Sequence, residues 1–402
     1  MRAGKRLRAL LLGGGRWQCA LIAAAKSFGL EVLVADISPS APGRVLADRF
    51  FQVDTDDRQA LLAIASSEGV GVVLSDQTDR LVPVVAFLNE ELGLPGIRTT
   101  VARRFTDKAV MREALAGAEV PQPRWEVVEG DEAAGRVASR IGYPLIVKPP
   151  SNQSSRGVSL VGSPEELPGA LARALSWSTD ARVLVEEFVE GMELTVEGVS
   201  VGGVAHVLAV SEKRHYRSLP CVADNLAYPP RMARSTRSAV EEATVAAVEA
   251  LGLEQGIFHC EMRVRGKMPY LVEVAARGGG SGIASRIVPH VSGVDVYLTW
   301  LDGLLGGRSS VFEPGSRQLE KAAVLGFFDF AAGPVRKVTG LEEVRARKLA
   351  EEVEVDVEPG SYYEGPRDDT SRGGYFLCLG ADRDEVDRRA QKVRDLVALE
   401  YE

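Results

Sequence analysis

An apolar run, Pro144–Val147, ends in a lysine, and a small polar loop follows: Lys148, Pro149, Pro150, Ser151, Asn152, Gln153, Ser154, Ser155, Arg156, Gly157. Apolar residues resume at Val158–Val161. The pattern is strand, loop, strand, with a cation at the lip of the loop. Backbone N–H groups in such a loop, together with a lysine, make a cradle for a polyphosphate. Because Lys148 ends an apolar strand, its charge is costly unless it meets an anion. Glu261 and Glu273 lie on two later apolar strands joined by the turn Arg265-Gly266-Lys267. That turn predicts antiparallel neighbours and so sets the two carboxylates side by side. Close carboxylates repel, and a divalent cation removes the cost. Mg²⁺ typically takes one or two carboxylates and fills its shell with phosphate oxygens. Together these features point to an enzyme that uses ATP.

Other stretches carry weaker signals. Val183–Gly191, which includes Glu186, Glu187, Phe188 and Val189, is a strand breaking into an extended segment, with Glu193 just beyond. Such a segment offers backbone groups to an adenine edge, and an acidic side chain binds ribose hydroxyls; the alternative is a strand with a charged, solvated end. Arg277 precedes Gly278-Gly279-Gly280-Ser281-Gly282. A guanidinium beside unhindered amides suits a carboxylate or an oxyanion. Lys213 and Arg214 lead into a proline-punctuated segment ending at Pro230, read either as a mobile basic loop near the phosphates or as a plain surface loop. Gly13-Gly14-Gly15, with Asp36 after the next strand, resembles a dinucleotide fingerprint but has Gln18 where the third glycine belongs. A cofactor loop, a loop touching a small molecule and a simple tight turn all remain open there. The sequence also lacks G-x-x-x-x-G-K-[ST], so it is not a P-loop enzyme.

These residues need elements to hold them. Residues 7–100 alternate strand and helix: strands at 7–12, 31–35 and 70–74, and helices at 17–28, 58–68 and 81–92. Helices of that length between strands imply a parallel sheet with covering helices. Ligands of such sheets gather at strand C-termini, here Gly13–Gly15, Asp36 and Ser75–Asp79. A break at Leu94-Pro95-Gly96 ends the unit. Residues 101–305 begin with a helix at 107–115. A small subunit at about 122–190 follows, reading strand, helix, strand, loop, strand, helix, strand. Strands at 194–201, 205–211, 257–264 and 270–275 come next, with a long helix at 236–251. Residues 306–402 offer strands at 321–328, 352–357 and 374–379 and a helix at 385–397. The fold class is therefore α/β with α+β elements. Three units are expected: 1–100, 101–305 and 306–402.

Composition excludes some functions. The chain has 402 residues, a net charge of −8, 45% hydrophobic residues and four cysteines without CxxC spacing. An acidic balance argues against a nucleic-acid partner, and scattered cysteines fit a reduced, cytoplasmic protein. Apolar runs are too short for a membrane span. The basic start is read as a ragged tail before the first strand rather than a secretion signal. Only four histidines occur, none in zinc-ligand spacing, so histidine-driven nucleophilic catalysis is not expected.

In this order, Asp107-Lys108, Tyr143–Pro149, the Ser154-Ser155-Arg156-Gly157 loop, Glu186–Val189, Glu193, Glu261 and Glu273-x-x-x-Arg277 resemble the ATP-grasp superfamily, over roughly residues 7–402. The resemblance includes an N-terminal pre-ATP-grasp domain like that of purine-biosynthesis carboxylases and carbamoyl-phosphate synthase. The stretch Asp369–Gly374 looks like the end domain of amino-acid ligases. The resemblance implies that Lys108 and Lys148 hold ATP phosphates while the 151–157 loop, with Ser154, Ser155 and Gly157, closes over them. It gives adenine to Glu186 or Glu187 and the backbone near Phe188 and Val189, and ribose to Glu193. It gives Mg²⁺, with Mn²⁺ as an alternative, to Glu261 and Glu273. Arg277 would steady an acyl phosphate, Lys213 would be the second catalytic cation, and Arg277, Gly279, Gly280 and Ser281 would bind the substrate. One departure matters: the family usually reads Glu-x-Asn-x-Arg, and Ala275 stands at the Asn position, so one oxygen ligand is lost. The implied activity is carboxylate–amine ligation through an acyl phosphate, with an amino-acid-like substrate. A purine-type carboxylase or formyl-transfer enzyme is the first rival, and a nucleotide-binding regulatory protein the second. The substrates would be a small carboxylate and an amine. Dimers are common among look-alikes, so a homodimer is the assembly the resemblance suggests.

Overall fold

The structure is a computed structural model that describes residues 6–129, 131–307 and 321–402. The basic start, Met1–Lys5, lies outside the described residues, as does the stretch 308–320 that opens the expected third unit. Strands β1 (Arg8–Leu12), β2 (Glu31–Asp36), β3 (Arg49–Gln52) and β4 (Val72–Leu74) form a parallel sheet in the order β3-β2-β1-β4. Leu10, Leu12 and Leu33 pack on one face and Ala9, Leu11, Val32 and Val34 on the other. Burial on both faces explains the unbroken apolar runs. Strand β3 was not foreseen; Arg-Phe-Phe-Gln is too short and too polar at its ends to show a period.

Strands β5 (Trp125–Val128), β6 (Leu145–Lys148), β7 (Ser159–Val161) and β8 (Val183–Glu187) form a second sheet in the order β5-β8-β6-β7. Helices Asp131–Ile141 and Leu167–Trp177 cover it through Val137, Ala138, Ala170 and Leu171. Its other side looks across a cavity at a larger sheet.

That larger sheet positions most of the chemistry. It is built from β9 (Met192–Val201), β10 (Val204–Tyr216), β11 (Leu219–Tyr228), β12 (Gly256–Arg265), β13 (Met268–Ala275) and β14 (Ala322–Phe327). After β15 (Gly333–Thr339), the sheet gains β16 (Glu352–Val355) and, past β17 (Tyr362–Tyr363), β18 (Gly374–Gly380). The order is β13-β12-β9-β10-β11-β14-β18-β16. Side chains alternate faces along a strand. Leu194 and Val196 of β9, and Phe258, Cys260 and Met262 of β12, point back onto helix Arg234–Leu251, which buries Val240, Val248 and Leu251 against them. Each such burial is worth about 1.5–3 kcal/mol, so the apolar back holds the sheet while the front carries charge. The front shows Glu193, Thr195 and Glu197 on β9 opposite Arg263, Glu261 and His259 on β12.

The segment 213–230 is not a loop. Lys213 sits in β10, paired with Glu193 of β9 and Leu226 of β11. Lys213 and His215 face Glu193 within the sheet, and Lys213 also meets Glu261, while Arg214, Arg217 and Ser218 are exposed, so polarity gave a false loop signal. The strands at 322–327, 352–355 and 374–380 continue the large sheet through the β11–β14 pairing, while β15, β17 and β19 (Ala398–Tyr401) form a small sheet beside it. Helix Arg383–Leu396 covers this end through Val386, Ala390 and Val393. Among the described residues no helix is long and apolar enough to cross a membrane.

Candidate active site

A cavity of about 670 Å³ lies between the second sheet, the large sheet and the C-terminal strands. Lys108, Lys148, Glu261, Glu273 and Arg277 all line it. The first four are paired in a particular way. Lys108 opens the helix Lys108–Ala114, capped by Asp107, and its Nζ lies 2.9 Å from Glu273 Oε1 and 2.6 Å from Asn152 O. Glu261 and Glu273 are direct cross-strand partners on β12 and β13. Glu261 Oε1 accepts from Lys213 Nζ at 2.8 Å, and the same ammonium reaches Glu193 Oε1 at 2.8 Å. Burial opposes charge on Glu261, but Lys213 and His259 overcome it and hold the carboxyl well below its usual range.

Lys148 ends β6 and is buried, with Nζ 2.6 Å from Glu186 Oε2. Glu186 also meets Arg112, whose Nε lies 2.8 Å from Oε1 and whose Nη2 donates to Val272 O at 2.7 Å. Burial would raise the Glu186 carboxyl, but Arg112 and Lys148 together bring it down to about 2. Lys148 itself is lowered, because burial and the neighbouring Arg112 and Lys108 outweigh its half-share of one carboxylate. The lysine is short of negative charge, which is the electrostatic condition for an anion site.

The Glu186 side chain thus meets two cations while lining the cavity. Its strand's outer neighbour, Glu187, pairs with Arg124 at 3.1 Å and Arg265 at 2.7 Å. Phe188 and Val189 line the cavity, and the Arg263 guanidinium lies 4.6 Å from the Phe188 ring centre. Glu193 is buried among Lys213, Arg263 and His215.

The loop after Lys148 lies over the cavity. Ser154 and Ser155 line it, both at positive φ (61° and 60°), and Ser155 Oγ donates to Cys221 O at 2.7 Å. Gly157 has φ +75°, and a Cβ there would press on Pro149 and Trp177 at 3.1 Å, so glycine is required to turn the chain back into β7. Asp79 N donates to Gln153 Oε1 at 2.9 Å, which ties the loop to the end of the first sheet.

Arg277 is gripped by Asp79, with Nε–Oδ1 2.8 Å and Nη2–Oδ2 3.1 Å. The glycine amides after it are less free than the sequence suggests. Gly278 N donates to Asp76 Oδ1 at 2.7 Å and Gly279 N to Glu197 Oε2 at 3.2 Å, while Gly280 and Ser281 do line the cavity. A Cβ on Gly279 would meet the Glu197 carboxylate at 2.9–3.0 Å. At the first sheet, Gly13 N donates to Ala35 O and Gly14 N to Asp36 Oδ2. The glycine turn thus spends two of its amides internally, while Arg16 and Trp17 beyond it line the cavity.

Arg112, Glu197 and His259 escaped the sequence reading, and Asp79 entered it only as the end of the Ser75–Asp79 stretch. Arg112 follows Lys108 at i+4 on one helix face, a legible signal. Glu197 and His259 continue the alternation from Glu193 and Glu261 by two-residue steps. Asp79 had no signal of its own beyond lying at a strand C-terminus. His259 Nδ1 lies 2.6 Å from Glu197 Oε1. Burial would lower this imidazole, but the Glu197 charge raises it to about 9. A histidine raised on folding contributes stability that is complete below about pH 6.5 and lost as pH climbs towards 9. In metal-free protein the stability advantage of wild type over His259→Gln is expected to shrink by up to about 3 kcal/mol across that range. Urea unfolding at several pH values checks this, and a constant advantage contradicts it.

The donor set suits a hard divalent ion. Two carboxylate oxygens on adjacent strands fit Mg²⁺ when phosphates complete the shell. Among the described residues no three His, Cys, Asp or Glu side chains converge as a protein-only metal cage. Ala275 supplies no oxygen.

Comparison with known proteins identifies two of the domains. Residues 141–285 match the model of an ATP-grasp domain. The chain carries an ATP-grasp domain. Residues 326–402 of this ATP-grasp protein match the L-amino acid ligase C-terminal domain 2. A formate-dependent phosphoribosylglycinamide formyltransferase of Geobacter metallireducens is 26% identical over 407 residues, covering 98% of this chain and 96% of that one. The L-amino acid ligase of Bacillus licheniformis superposes with a TM-score of 0.83 at 24% identity, covering 99% of this chain and 100% of that one. The biotin carboxylase domain of 2-oxoglutarate carboxylase from Hydrogenobacter thermophilus, solved with MgADP and bicarbonate, gives 0.76 at 17%, covering 98% and 91%. At these identities the superpositions speak for the fold.

Proposed function

We propose that the protein joins a carboxylate to an amine at the expense of ATP, forming an amide or peptide bond through an acyl phosphate, with an amino-acid-like substrate. The observation that carries this reading is the pairing of Lys108 with Glu273 and Lys213 with Glu261 inside one cavity. A triphosphate takes ammonium groups and a divalent ion takes carboxylates, so both pairs part without stranding a charge. Magnesium, when bound, neutralises phosphate charge during transfer. Lys108 and Lys148 orient the β- and γ-phosphates, the 151–157 loop excludes water, and the backbone at 187–189 receives adenine. Arg277, fixed by Asp79, faces the oxygen on which negative charge develops. Phosphoryl transfer rests on positioning and neutralisation, so no nucleophilic side chain is required.

Two observations favour an amino-acid-like substrate over a phosphoribosyl one. The Gly13 and Gly14 amides, the natural phosphate cradle in the first sheet, are already bonded to Ala35 and Asp36. The C-terminal match is to an amino-acid ligase domain. The test is a screen of amino-acid pairs with ATP, read by phosphate release and product mass. A dipeptide-mass product is expected. Phosphate release only with formate or bicarbonate and a phosphoribosyl amine would overturn the assignment, and tight ATP binding with no turnover would point to a regulatory protein.

A further inference from the structure

Across the front of the large sheet, the row next to Glu261 reads Ala209, Glu197, His259, Ala275 on β10, β9, β12 and β13. Alanine stands at both ends of the row, and the imidazole and a buried carboxylate fill its middle. His259 is the direct cross-strand partner of Ala275, the position from which the Asn oxygen of the usual pattern is missing. Its Nδ1 faces Glu197 at 2.6 Å, and its Nε2 faces Glu261 Oε1 at 3.7 Å while lining the cavity. Glu197 is buried and further fixed by Gly279 N.

We propose that His259 Nε2 is a metal ligand in this protein, replacing the oxygen lost at Ala275, and that Glu197 is the residue that orients it. The inference rests on the reading of Glu261 as a ligand of the nucleotide-bound ion. A carboxylate that holds one ring nitrogen and aims the other at a metal is a recurrent arrangement. The separation of Nε2 from Oε1 is 3.7 Å, within about an ångström of the roughly 3 Å edge of an octahedral shell. Loading requires the Lys213 ammonium to leave Glu261 for phosphate and the Nε2 proton to leave for solvent. Phosphates and water supply the rest of the shell. A nitrogen donor also shifts preference from Mg²⁺ towards first-row transition metals.

The test is pulsed EPR of Mn²⁺ with a non-hydrolysable ATP analogue on the full-length protein. Wild type is expected to show ³¹P coupling from phosphate together with ¹⁴N coupling from a bound imidazole. His259→Asn, which keeps a donor towards Glu197, should lose the ¹⁴N signal, keep the ³¹P signal and bind Mn²⁺ about 10-fold more weakly or worse. His215→Asn, which alters the other cavity imidazole near Glu193, should retain ¹⁴N. Adding Ala275→Asn to His259→Asn should restore affinity without ¹⁴N. Phosphorus coupling without nitrogen in wild type overturns this inference alone; absence of both overturns it together with the reading of the metal site.

Discussion

Replacing Lys148 with methionine is expected to lower kcat/KM for ATP about a thousandfold while leaving the protein folded. Lys148 is 4% exposed and shares the Glu186 carboxylate with Arg112. It gains its full counter-charge only when a phosphate arrives. Removing one member of a buried charge pair costs about 3–5 kcal/mol, and about 4 kcal/mol is roughly a thousandfold in rate. That loss falls on the nucleotide complex, because in the free protein Glu186 keeps Arg112. Substrate-dependent phosphate release at saturating and limiting ATP measures the first effect, and thermal unfolding the second. Normal turnover in Lys148→Met would remove this lysine from the account.

Arg112→Met is expected to do the reverse and act on stability. The guanidinium is fully buried, holds Glu186 at 2.8 Å and caps Val272 O at 2.7 Å, the carbonyl next to Glu273. Its loss takes this donor from the half-buried Val272 carbonyl and leaves Glu186 with Lys148 as its cation. One Arg112 nitrogen, Nη1, already has no hydrogen-bond partner, and methionine removes that liability. The expected cost is therefore at the low end, about 3 kcal/mol, read from urea unfolding. Combining it with Glu186→Gln should recover part of the loss, since the uncompensated charge goes too. An unchanged unfolding midpoint in Arg112→Met contradicts this role.

The contrast between these two basic residues shows what a sequence conveys. Lys148 was legible because it interrupts an apolar strand, where a cation needs a reason. Arg112 sits in an ordinary amphipathic helix, and only its i+4 relation to Lys108 hints at a shared face. Strands β9 and β12 declared themselves by alternation, and that alternation also contained Glu197 and His259. They were passed over because a lone glutamate or histidine on a strand more often faces solvent. Lys213 was read into a loop because prolines and charges surround it, yet its charges face Glu193 and Glu261 across the sheet. Nothing in the chain order could give Asp79 to Arg277, since that contact forms only when the end of the first sheet docks on the large one. Likewise β3 and the strands β15, β17 and β19 are too short or too polar to stand out. The glycine run at 278–280 offered amides that the fold then assigns to Asp76 and Glu197.

The central claim is that a magnesium triphosphate enters by parting two existing ion pairs. A crystal structure with a non-hydrolysable ATP analogue and Mg²⁺ tests it most directly. The account predicts phosphates on Lys108 and Lys148, the ion on Glu261 and Glu273, and the Lys108–Glu273 and Lys213–Glu261 contacts, now 2.9 and 2.8 Å, opened. Nucleotide bound elsewhere with both contacts intact would contradict it.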